Sequence, residues 1–135
     1  MKYKIEEIEG IGPTYGEKLK AAGIADTDAL LSRCGAKKGR TEVASETGLD
    51  ESRLLKWANM ADLMRISGVG EEYSELLEAA GVDTVKELQH RNAENLAAKM
   101  AEVNEEKKLT RALPAASQVE KWIDQAKGLT PMISH

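Results

Sequence analysis

The sequence predicts an all-α fold, and three observations carry the prediction. Alanine and leucine, the strongest helix formers, dominate the apolar residues of this 135-residue chain. Stretches that alternate apolar and polar residues with the period of a strand are few, and β-branched residues are sparse. Apolar residues recur instead at helical spacing between glycine and proline punctuation, as at Leu96, Met100 and Val103. The core must be built with little aromatic mass: there is no Phe, and the five aromatics are Tyr3, Tyr15, Tyr73, Trp57 and Trp122.

Internal similarity then orders the elements. Laid over each other at an offset of 58, residues 5–24 and 63–82 pair Ile5 with Leu63, Ile8 with Ile66, Gly10 with Gly68 and Gly12 with Gly70. Tyr15 meets Tyr73, Leu19 meets Leu77 and Gly23 meets Gly81; after one deletion Asp26-Thr27 meets Asp83-Thr84. Each copy later reaches a tryptophan helix, so the chain reads as a tandem duplication. Residues 1–62 hold the first copy and residues 63–135 the second, and the two are expected to pack as one globular unit of about four helices each.

In the first copy the Gly10-Ile11-Gly12 turn leads into Pro13, which suits a helix start because the N–H it lacks would have no intrahelical partner. Gly23 ends that helix in the left-handed conformation, with apolar Ile24 next. Lys37, Lys38, Gly39 and Arg40 read as a basic, flexible loop. Residues 40–57 have a helix-turn-helix look, but the implied recognition helix begins Asp50-Glu51-Ser52, the wrong charge for a groove lined by phosphates. Two core helices joined at Gly48 are the better reading, with Asp50 as cap and Leu49 and Leu54 as a hydrophobic staple. In the second copy Gly68-Val69-Gly70 makes the turn and Gly81 the stop. Thr84 and Glu87 form a capping box, Asn92 caps the long amphipathic run, and Pro114 begins the last helix. The terminal residues 128–135 dock or fray.

Composition excludes several classes of function. No window reaches the length of a transmembrane helix, and the charged N-terminus lacks a signal peptide's apolar stretch, so a cytoplasmic protein with no membrane partner is expected. Cys34 is the single cysteine, which leaves no intrachain disulfide and no zinc site assembled from thiolates. Basic neighbours would lower its pKa, yet no His or acid is spaced to complete a catalytic unit. His90 and His135 are isolated. No Walker loop, metal cluster or carboxylate pair stands out, so neither enzyme chemistry, a cofactor nor a small-molecule substrate is expected.

The first turn carries chemistry of its own. Glycine lets a ligand approach the backbone, and the helix that follows opens with unpaired N–H groups and the positive end of its dipole. Such an arrangement cradles a phosphate without reading sequence. The residues 8–24, with Gly10-Ile11-Gly12-Pro13 and the trailing Lys18-Leu19 and Gly23-Ile24, resemble the helix-hairpin-helix of DNA repair polymerases, ligases and nucleases. The chain as a whole resembles an uncharacterised, mainly bacterial family of unknown function built from two such repeats. Its marks are the first hairpin, residues 61–70, residues 79–88 and residues 120–127. The resemblance implies phosphate contact by Gly10, Gly12, Thr14 and Tyr15, with Lys18 nearby. It also implies an alkali cation on the carbonyls of Glu6, Ile8 and Ile11. The same Gly-x-Gly turn also serves merely to cross two helices tightly, and both readings stay open.

The copies differ in charge. Residues 10–41 carry Lys18, Lys20, Arg33, Lys37, Lys38 and Arg40 against Glu17, Asp26 and Asp28, a balance of +3. The matching residues 68–99 balance at -4, with Glu71, Glu72, Glu75 and Glu78 at the start of the helix after Gly68 and Gly70. Carboxylates there suit the dipole but repel a phosphate, so the second turn reads as structural or as a protein contact. Trp57, Trp122, Tyr15 and Tyr73 read as core, the tyrosines with satisfied hydroxyls, and Asp62 with Arg65 as a structural pair. The expected function is a non-catalytic scaffold that meets a protein partner. The alternative is sequence-independent DNA binding through the first hairpin and its basic loop, Lys37, Lys38 and Arg40. A net charge of -4 favours the scaffold.

Overall fold

The computed structural model describes residues 2–135, which run through a 3-10 turn at Ile5–Glu7 and then eight α-helices. In order these are α1 (Gly12–Ala21), α2 (Thr27–Cys34), α3 (Lys37–Thr47), α4 (Glu51–Leu63), α5 (Glu71–Ala79), α6 (Val85–Leu88), α7 (Ala93–Lys107) and α8 (Ala116–Lys127). Among the described residues the only extended pairing is an isolated antiparallel bridge between Lys4 and Asp26. The all-α expectation holds, and no described helix is long and apolar enough to cross a membrane.

Glycine ends α1 and α5 in the same way. Gly23 and Gly81 sit at φ 85° and 96°, and each is followed by an amide that reaches back around the turn. Ile24 N–H donates to the Leu19 carbonyl and Gly23 N–H to that of Lys20, both at 2.9 Å; Val82 and Gly81 repeat the pattern on Leu77 and Glu78. The crossed pair satisfies two carbonyls that a helix end leaves without partners. Buried Ile24 and Val82 then turn the chain into the core.

Three helix starts correct the sequence reading. Asp50 occupies the N-cap of α4, yet its carboxylate accepts from the Ser52 hydroxyl at 3.0 Å instead of from a backbone amide. Thr84 caps α6 through the Glu87 amide, but Glu87 reaches back to Asp83 N–H at 3.5 Å, so the box is only half closed. Pro114 does not begin α8: Ala115, with ψ 156°, is still extended, and the helix opens at Ala116. Asn92 caps α7 as expected, through Asn95 N–H at 3.0 Å. The segment read as a basic loop is helical, because Lys37 and Lys38 form the first turn of α3.

Helix α4 organises the interior. From Trp57 to Leu63 every residue is buried, so this half of α4 is enclosed on all sides, Asn59 and Asp62 being its polar members. Trp57, Ala58, Met60 and Ala61 belong to a hydrophobic cluster that gathers Ile5, Leu19, Leu30, Val43 and Leu54. Leu63 begins a second cluster with Ile66, Leu77, Leu88, Met100 and Trp122. One helix therefore feeds both cores. Its buried Asp62 is fully engaged, with Oδ1 2.8 Å from Arg65 Nη1 and Oδ2 accepting Val85 N–H at 2.8 Å.

Candidate functional site

The glycine turns owe part of their composition to packing. Gly10 and Gly68 have φ of 91° and 93°, a region that L side chains seldom occupy. A Cβ on Gly10 would stand 3.8 Å from Trp57 Nε1, and one on Gly68 would stand 3.3 Å from Trp122 Nε1. Each tryptophan also packs on the tyrosine one turn into the next helix. Tyr15 and Trp57 lie 5.3 Å apart at 54°, Tyr73 and Trp122 5.2 Å apart at 54°. The hydroxyls are satisfied, that of Tyr15 by Arg53 and that of Tyr73 by donating to the Ala112 carbonyl at 3.1 Å.

The second glycine of each turn is where the geometries part. Gly12 is left-handed at φ 60° and opens α1, whereas Gly70 is extended at φ -100° and serves as N-cap of α5. Neither helix start has a side-chain cap. At the first, Gly10, Gly12, Pro13 and Thr14 are exposed, Tyr15 is half-buried, and Lys18 is exposed one turn along. This is the form of an anion cradle, although Pro13 removes one amide from it. At the second, Glu71 and Glu72 are exposed at the helix start, and the Gln125 amide clamps Ser67, accepting its N–H at 3.0 Å.

Electrostatics favours cations along both turns. Burial raises the pKa of Glu71 and Glu75, and Glu9 is the next largest cause for each; Glu72 and Glu7 add to the effect on Glu71. The first turn thus lies close enough to α5 for carboxylates of both to repel one another. Glu78 is raised too, chiefly by burial, with Lys56 opposing, and its Oε2 has no hydrogen-bond partner.

Several residues singled out by sequence fall elsewhere. Arg40 is 3% exposed and donates to the carbonyls of Cys34, Gly35 and Ser134 at 3.0, 2.9 and 2.7 Å, so it is not free to meet a phosphate. Lys37 and Lys38 remain exposed. Cys34 is buried, and burial pushes its thiol up to about 11 against the pull of Arg33 and Arg40, the reverse of activation. Glu6 carries its carboxylate to Lys20, and the Ile8 carbonyl accepts Ile11 N–H at 3.2 Å. Among the described residues no group of three or more His, Cys, Asp or Glu could hold a metal.

The sequence reading missed Glu7 and Glu9 because its charge count began at Gly10. Begun at Ile5, where the first motif starts, the same stretch to Thr41 holds six cations and six carboxylates, and the positive balance vanishes. Of those cations Lys20 and Arg33 are ion-paired and Arg40 is buried.

A family model described as a domain of unknown function, DUF4332, matches residues 9–129. No curated protein and no solved structure matches the chain.

Proposed function

The chain belongs to the DUF4332 family of domains of unknown function, and from that premise we propose that it is a non-catalytic helical scaffold, built from two helix-hairpin-helix repeats, that docks a protein partner. The observation that carries this reading is the shared acidity of the two turns. Burial and, next to it, the charge of Glu9 on the first hairpin raise the pKa of Glu71 and Glu75 on the second, so carboxylates of both hairpins face the same side of the molecule and give it a negative field. A field of that sign steers a basic protein surface and repels a phosphate backbone. The repeat reading is supported by the matched angles of Gly10 with Gly68 and of Gly23 with Gly81, the matched Tyr–Trp pairs and the two alike helix ends.

The test is a quantitative affinity capture with the wild-type chain and the charge-reversed Glu71→Lys/Glu75→Lys variant, followed by direct titration of the recovered protein. The reading expects a specific partner whose affinity falls at least tenfold in the variant. Equal capture by both forms would remove the acidic side from the account. A second reading, sequence-independent DNA binding, is favoured by one feature: the exposed, uncapped start of α1 at Gly12 and Thr14.

A further inference from the structure

The chain after α8 is shared between the two clusters. Leu129 packs on the second, whereas Ile133 packs on the first, beside the corner where α2 meets α3. There the Ser134 amide donates to the Gly35 carbonyl at 2.8 Å, and Arg40 Nη2 donates to the Ser134 carbonyl at 2.7 Å. Met132 crosses the corner 41% exposed, with its carbonyl set where a Cβ on Gly35 would collide with it. The corner therefore grips the main chain and takes one apolar side chain, which is how grooves recognise extended peptides. Arg40 is built for the purpose. Two of its hydrogen bonds hold the corner itself, and the third has a carbonyl acceptor only while a segment lies in place.

We propose that this corner is a receptor for an extended segment, filled within one molecule by its own residues 132–134 and, as concentration rises, by those of a second copy, so that two molecules exchange these segments and dimerise. A second copy is the occupant the structure argues for, because the bare Gly35 and the apolar seat are already fitted to this sequence. Exchange keeps every one of these contacts, so what opposes it is the loss of free motion on association. The connection can open at one point. Gln89 holds the Leu129 carbonyl and Arg65 donates to the Thr130 carbonyl at 2.8 Å, so the chain stays anchored as far as Thr130. Exposed Pro131 follows, where proline favours an extended course over a turn back. This proposal is independent of the acidic side.

Sedimentation velocity on the full chain, from low micromolar to millimolar concentration, tests it when joined to a complementation experiment. Ile133→Asp spoils the segment but leaves the receptor; Gly35→Ala, whose Cβ would press on the Leu31 carbonyl of α2 as well as on Met132, closes the receptor but leaves the segment. Circular dichroism checks that each is folded, and Arg40→Lys replaces Gly35→Ala should that variant unfold. The wild type is expected to dimerise with concentration, each variant to lose the dimer alone, and an equimolar mixture to recover a heterodimer. A mixture that stays monomeric, or a dimer that persists in either variant alone, would overturn tail exchange.

Discussion

The turns at Gly10–Gly12 and Gly68–Gly70 stand at matched sequence spacing but are entered differently. In the first, the chain arrives extended: Tyr3 N–H donates to Thr27 Oγ1 at 3.0 Å, Thr27 N–H returns to the Tyr3 carbonyl at 2.9 Å, and exposed Glu7 accepts the Lys4 amide at 2.7 Å. In the second, α4 runs straight in, and buried Asp62 and half-buried Arg65 stand where the offset of 58 puts Lys4 and Glu7, with the signs reversed. The same shape is held once from the surface and once from the interior. What the difference teaches is that likeness between two turns says little about the surface each presents.

Breaking the shared feature has the largest expected effect. Trp57→Ala and Trp122→Ala should each cost about 3–5 kcal/mol, measured by urea unfolding, because both empty a packed core; a large inequality would mean the repeats do not carry equal cores. The interior entry comes next. Arg65→Met leaves Asp62 buried with only the Val85 amide and should cost about 3 kcal/mol, whereas Glu7→Gln at the exposed counterpart should stay within about 0.5 kcal/mol. Gly68→Ala and Gly10→Ala both force alanine into positive φ and should each cost about 1–2 kcal/mol. Gly68→Ala should be the worse of the two, since its Cβ comes nearer the indole nitrogen.

The smallest effect has the opposite sign. The raised pKa of Glu75 means that the folded chain binds its proton more tightly than the unfolded chain does, so this group lowers stability at neutral pH. Glu75→Gln should therefore raise stability at pH 7 by about 0.5 kcal/mol, or about 2 °C in melting temperature. The gain should fade as pH falls through the folded pKa toward the ordinary value of 4.5. A gain that grew on acidification would place the carboxylate in an attractive environment.

Much of the fold was legible because it rests on local signals. Gly23, Gly81 and Asn92 mark their helix ends through backbone conformation and short-range hydrogen bonds, which sequence spacing encodes directly. The failures were tertiary. Nothing near Arg40 in sequence announces that its guanidinium binds a carbonyl 94 residues away, and so a buried clasp was read as a solvent-facing cation. The thiol of Cys34 was misread for the same reason, since burial outweighs the neighbouring cations. The acidic side needed only a longer window for Glu7 and Glu9, but their meeting with Glu71 required the fold.

The central claim, that the first hairpin keeps the form of a phosphate cradle inside a field that repels phosphate, has a direct test. Fluorescence anisotropy of labelled duplex and single-stranded DNA is titrated with the wild-type chain and with Lys18→Glu, at low and at moderate salt. The account predicts no saturable binding of either DNA even at low salt, where counterion release would favour it most. Binding that appears at low salt, falls steeply as salt rises and is lost in Lys18→Glu would contradict it.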